Sequence, residues 1–136
     1  MKKVLLIGLA VALTVGIWIY REYNRAPADL SDVKADVEIT AVDLVSAFSD
    51  DESSANTLYL DKIVAVTGEL SQIRQDTSGV SLTIASDDPL SSVICEMQKG
   101  FALPEGLVEG DAVSVKGQCT GYLMDVVLVK SIINNK

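Results

Sequence analysis

The chain is 136 residues long, contains no histidine, and carries 19 acidic against 11 basic residues for a net charge of −8. That length allows one domain plus an appendage, and the lack of histidine removes the usual general base near neutral pH and the commonest metal ligand. Past Arg25, seven Lys/Arg face eighteen Asp/Glu, a balance of −11 that repels phosphate backbones and anionic lipid heads.

Lys2 and Lys3 precede Val4 to Tyr20, seventeen residues with no charge and Thr14 as the one polar side chain. As a helix rising about 1.5 Å per residue the run spans about 26 Å, just short of a hydrocarbon core of about 30 Å. Trp18 and Tyr20 stand at its C-terminal end, where amphipathic rings prefer the membrane interface. Residues 1–25 are therefore predicted to be a transmembrane anchor, with the span running from Val4 to Tyr20. The alternative is a cleaved secretory signal, and Ala26-Pro27-Ala28 resembles a cleavage site. Against it, Arg21 to Arg25 put charge where such a segment is small and neutral. Two Lys before the run and two Arg after it leave orientation open. Acidity and the two cysteines weigh for a soluble domain on the outer, periplasmic side.

Residues 26–38 are polar, contain Pro27 and hold no period, which predicts an exposed linker. Thr40 and Asp43 form a capping pair for a helix, behind which Ala41, Leu44, Val45, Phe48, Ala55 and Tyr59 fall on one stripe. Asp50, Asp51 and Glu52 interrupt the other face; they lack the alternation and turn glycine of a calcium loop.

From Lys62 the period changes to two. Val64, Val66, Gly68 and Leu70 share one face of a long first strand, and Asp76-Thr77-Ser78-Gly79 is turn chemistry. Val80, Leu82 and Ile84 mark a second strand, and Val93, Cys95 and Met97 a third. Residues 99–110 hold Pro104 and three glycines, so any helix there is short. Val113, Val115, Gly117 and Cys119 mark a fourth strand, Thr120-Gly121 a turn, and Val126 to Val129 a last strand. Residues 39–134 are thus predicted to be mainly β, a five-stranded OB-fold barrel preceded by one amphipathic helix, with a small sandwich as the alternative.

At these residues the chain resembles the tRNA_anti-like family, small bacterial OB-fold proteins that are often lipoproteins or membrane-anchored. The resemblance rests on Ile39 to Phe48, on Asn56, Tyr59 and Lys62, on Val64 to Gly68 and Val93 to Glu96, and on Gly110 to Val127. It covers roughly residues 39 to 132. It implies the barrel and a place at the cell envelope, and no activity. The second and third strands contain no aromatic residue and only Arg74 supplies positive charge nearby, whereas nucleic-acid-binding OB faces stack bases on aromatics in a basic groove.

Candidate chemistry is sparse. Alternation points Cys95 and Cys119 into the barrel, where they would form a disulfide in an oxidising compartment or remain two inert thiols in a reducing one. Two cysteines without histidine do not make a zinc site, and neither has a neighbouring base that would make it a nucleophile. Asp50-Asp51 and Asp87-Asp88 are adjacent carboxylates, not opposed across a cleft. The expectation is no enzyme, no cofactor and no metal. The function read from the residues is a membrane-tethered module that binds or scaffolds a protein or peptide partner in the cell envelope, with nucleic acid disfavoured. The alternative is an OB module for nucleic acid or oligosaccharide. For a sugar the aromatic platform would come from Tyr59, Phe101 and Tyr122, and Tyr122, expected in the loop between strands four and five, is the best single contact.

Overall fold

The computed structural model describes residues 2–23 and 29–134. The elements in order are α1 (Lys2–Tyr23), β1 (Val37–Thr40), α2 (Ala41–Asp50), α3 (Glu52–Tyr59), β2 (Ile63–Asp76), β3 (Gly79–Ile84), β4 (Val93–Met97), β5 (Ala112–Leu123) and β6 (Asp125–Ile133). The strands lie in the order β1-β2-β3-β4-β6-β5, and a further β2–β5 pairing closes β2, β3, β4, β6 and β5 into a five-stranded barrel. Closure depends on the length of β2. Its first half, Ile63–Glu69, pairs antiparallel with β5, and its second half, from Leu70, pairs with β3. The β4–β6 pairing is parallel, with Cys95 opposite Leu128, because the chain between β4 and β5 returns across the barrel rather than as a hairpin.

Alternation builds the core as expected. Val64, Val66, Leu70, Leu82, Ile84 and Val93 are fully buried, and Val115, Val126 and Leu128 join them from β5 and β6. Gly68 and Gly117 occupy inward positions with no room for a side chain. A Cβ on Gly68 would lie 2.6 Å from Ile84 Cγ2 and 3.2 Å from Ala41 Cβ, so that glycine lets α2 sit against the strands.

The helical segment is two helices at a corner, not one. Thr40 caps α2, accepting from the Asp43 N–H at 3.1 Å and donating to its carboxylate at 2.8 Å. Asp51, extended at φ −154°, ends α2 through its N–H to the Ala47 carbonyl. It also starts α3 by accepting from the Ser54 N–H at 3.1 Å. The acidic run thus serves as a hinge between two helix caps. Leu44, Val45 and Phe48 enter the core from α2, with Ala55 from α3.

Three expectations are corrected here. Most of the expected linker is part of the domain: Leu30 is 4% exposed, and Val37 to Thr40 form β1, parallel to Val64–Thr67. Residues 26–28 lie outside the described residues. Thr120-Gly121 is not the turn; β5 runs on to Leu123, with a bulge between Cys119 and Gly121, and Met124 at φ +71° makes the turn. The third correction concerns the anchor. A helix does form over it, but the side chains of Val4 to Ile7, Leu9 and Ala10 lie outside the described residues. From Val11 to Tyr20 the helix is exposed and apolar over about 15 Å, half a hydrocarbon core. Among the described residues no helix is long and apolar enough to cross a membrane, so the transmembrane span from Val4 to Tyr20 is unsupported.

Candidate functional site

A groove of about 300 Å³ lies between α3 and the ends of β5 and β6, lined among others by Asn56, Leu60, Gly121 and Tyr122. Two more outer faces of the barrel carry grooves. The first is the face of β3 and β4, where alternation turns Leu82 and Cys95 inward and Ser81, Thr83, Ile94 and Glu96 outward. A groove of about 420 Å³ crosses it, lined among others by Arg74, Asp76, Ser81, Ile94 and Glu96. At its end the Asp76 carboxylate accepts from the Ser78 hydroxyl, the Ser78 N–H (2.7 Å) and the Gly79 N–H (3.2 Å). These bonds, the Ser78 hydroxyl foremost, hold the Asp76 carboxyl below its usual range and keep it anionic. One guanidinium therefore shares this face with two carboxylates, and no ring lines it.

The second face is the outside of β1, β2, β5 and β6. Register sets two successive rungs across it. Glu38, Ala65, Lys116 and Ile132 lie side by side on one, and Thr40, Thr67 and Ser114 on the next, where the Asn134 N–H donates to the Ser114 carbonyl at 2.7 Å. The segment before β1 covers the first rung. Leu30, Ala65 and Ile132 are buried there, and the Lys116 ammonium donates to the carbonyls of Val33 (2.7 Å) and Ser31 (3.4 Å). Asp36 completes the attachment: its N–H donates to the Ile63 carbonyl at 2.8 Å and its carboxylate accepts from the Ile63 N–H at 2.9 Å. The second rung is open. It floors a groove of about 520 Å³, and an adjoining groove of about 700 Å³ shares Thr40, Thr67 and Ser114 with it.

The sequence model of the tRNA_anti-like family matches residues 1–133. The chain belongs to the tRNA_anti-like family. Among solved structures, this tRNA_anti-like barrel is similar to a "putative nucleic acid-binding lipoprotein" from Klebsiella pneumoniae subsp. pneumoniae MGH 78578. The two share 18% identity with a TM-score of 0.58, over 71% of this chain and 91% of that one. A likeness at that identity shows the fold. No curated protein matches.

In this tRNA_anti-like barrel Tyr59, Phe101 and Tyr122 pack against the core that holds Cys95 and Cys119, and Tyr122 also lines the groove of about 300 Å³ beside α3. Tyr122 is not in a loop; it is near the end of β5, its ring stacked on Phe48 at 5.7 Å and 18°. Its hydroxyl lies 3.4 Å from Ser49 Oγ and 3.3 Å from Ser91 Oγ, which ties α2 to the start of β4. Tyr59 packs tilted on the same Phe48 at 5.9 Å, and Phe101 packs against the core from the β4–β5 connection, so the three rings form no platform.

Cys95 and Cys119 are free, buried thiols, and the disulfide expected of an oxidising compartment is not formed. The register gives the reason. Both face Leu128, one from each side of β6, which sets them two strand spacings apart. That is roughly 9–10 Å between Cα atoms, beyond the about 7 Å a disulfide spans. Burial pushes the Cys95 thiol up to about 12 and raises that of Cys119, where Asp61 adds to the effect. Neither is a nucleophile at neutral pH. Among the described residues, no three His, Cys, Asp or Glu come together as they would around a metal ion.

Sequence reasoning missed the second face. Its signals were present but faint: Leu30, Val33 and Val37 inside a polar stretch, and Lys116 between Ser114 and Gln118 on the outward side of its strand.

Proposed function

We propose that the protein is a binding module without catalytic chemistry, held at a membrane by its N-terminal helix, whose barrel takes a protein or peptide partner in the cell envelope. The observation that carries this reading is the distribution of charge over the grooves. On the β3–β4 face Arg74 is outnumbered by Asp76 and Glu96, and the grooves of the second face are lined by carboxylates with no Lys or Arg. Nucleic-acid affinity rests on Lys/Arg displacing phosphate counterions and, for single strands, on aromatic stacking. On these two faces Arg74 is the one basic residue lining the grooves, and no aromatic ring lines them. The reading of no enzyme is supported by two thiols kept protonated by burial and by carboxylates engaged in caps and turns. Membrane attachment is supported by the exposed apolar side chains of α1, Trp18 and Tyr20 among them, and by the likeness to a protein called a lipoprotein.

The name of that protein also gives the second reading, an OB module for nucleic acid. Titration of the full chain with a fluorescent oligothymidylate at low salt separates the two. No saturable binding is expected up to about 100 µM, the weak end of non-specific affinities. Micromolar binding that falls steeply as salt is raised would transfer the assignment to nucleic acid.

A further inference from the structure

The second face already holds one segment of chain, and what it leaves open has a definite chemistry. Residues 29–36 seat on the first rung by an apolar anchor, Leu30, and by backbone carbonyls gripped by Lys116. The adjoining rung presents Thr67, Ser114 and Asn134, side chains that both donate and accept and so suit the N–H and C=O groups of another chain, beside a Thr40 hydroxyl already engaged in the cap of α2. The two grooves over it share Thr40, Thr67 and Ser114, which makes one trough on the rung next to the seated segment. Glu38, Asp43, Glu69 and Asp87 line that trough, and no Lys or Arg does. Small side chains, Ala85 and Ala112, let a partner backbone come close.

We propose that this trough docks an extended, lysine- or arginine-bearing segment of a partner protein, laid across Thr67 and Ser114 beside the chain's own residues 29–36. The inference rests on the reading of the barrel as a protein-binding module. Two features select the occupant. The hydroxyl and amide floor suits a peptide backbone, and a rim of four carboxylates attracts cationic side chains while it repels acidic peptides and phosphodiesters. It is not a cation site, since among the described residues no cluster could hold a metal ion. A second copy of this acidic chain would bring like charge to the rim.

The test uses the full chain in detergent micelles and a fluorescein-labelled nonapeptide alternating lysine and threonine. The same peptide with glutamate for lysine and an oligothymidylate serve as comparisons. The lysine peptide is expected to bind, to weaken as salt is raised, and to lose about tenfold in affinity when Glu69→Lys and Asp87→Lys are combined. Both residues are exposed, so the double variant keeps the fold, which circular dichroism confirms. The charge-matched pair Glu96→Lys and Glu105→Lys, outside the trough, is expected to leave binding within about twofold. Equal weakening by both pairs would reduce the effect to diffuse acidity and overturn the site. Absence of lysine-peptide binding, or equal binding of the glutamate peptide, would overturn the partner chemistry. Loss of affinity confined to the Glu96 and Glu105 pair would move docking off the trough and leave the protein-binding reading standing. Tight oligothymidylate binding would instead bring down the reading beneath.

Discussion

Single residues inside this barrel are set by how little room the closed sheet leaves. Ser131 is fully buried just after a bulge at Lys130 (φ +53°), and its hydroxyl makes no hydrogen bond among the described residues. It lies against Gly117, where an added Cβ would meet it. A buried hydroxyl without a partner has lost its water and gained nothing, so Ser131→Ala is expected to stabilise the protein by about 1–2 kcal/mol in urea unfolding. An equal loss instead would mean the hydroxyl is satisfied. The thiols make a second prediction. In the fold Cys95 stays protonated to about 12, against an ordinary value of 9.0, so below pH 9 the native and unfolded chains both hold its proton. Between 9 and about 12 only the native chain does, and stability falls as the pH rises through that window. Iodoacetamide at pH 8 should leave both cysteines unmodified in the native protein and alkylate both in denaturant. Inward placement of the two thiols was legible from alternation. Their separation was not, because it depends on β6 lying between β4 and β5, and strand order is not written in the period of any one strand.

The elements show the same division between what is local and what is not. Period two marked four of the five barrel strands, the apolar run Val126 to Val129 marked the last, and the Thr40–Asp43 pair marked the helix start, since those signals arise from neighbours in sequence. What was missed depended on distant partners. β1 is four residues long and strand-like only because Val64–Thr67 offer it a parallel edge; alone, Val37 to Thr40 reads as the end of a linker. The bulge in β5 that carries Tyr122 back onto Phe48 likewise answers to a helix some seventy residues away. The helix corner yields a prediction at this scale. The Ser54 hydroxyl and N–H hold the Asp51 carboxyl below its usual range, so its contribution is present above about 3.8 and lost as the pH falls through its lowered value. Asp51→Ala should therefore destabilise the protein at pH 7 and make little difference in strong acid. Thr40→Ala, at the cap of α2, should cost about 1 kcal/mol. A variant at Asp51 equally impaired at both pH values would show that the hinge needs the side chain's shape and not its charge.

At the scale of the whole molecule, the domain begins earlier than its strong sequence signals do. The barrel's own core would close with residues 39–134, but the outer rung of Ala65, Lys116 and Ile132 is covered by residues 29–36. Without that cover two apolar side chains meet water, and Lys116 loses the carbonyls that now receive its ammonium, as do Ile63 N–H and C=O their Asp36 partners. Uncovering an isoleucine side chain costs about 1.5–3 kcal/mol when the burial is complete and an alanine methyl about 0.8 kcal/mol, and charge-assisted hydrogen bonds contribute about 1.5–3 kcal/mol each. The sum is a large share of the about 5–15 kcal/mol that holds a small domain together. A fragment of residues 29–134 is therefore expected to fold as the full chain does, with a cooperative urea transition. A fragment of residues 39–134 is expected to unfold at clearly lower urea, or to associate through the uncovered rung. Lys116→Met, which keeps the stem and removes the charge, should fall between them, with faster amide exchange at Asp36 and Ile63. Equal midpoints for the two fragments would show that residues 29–36 merely rest on the barrel. In that case the face they cover would be free to exchange them for another chain.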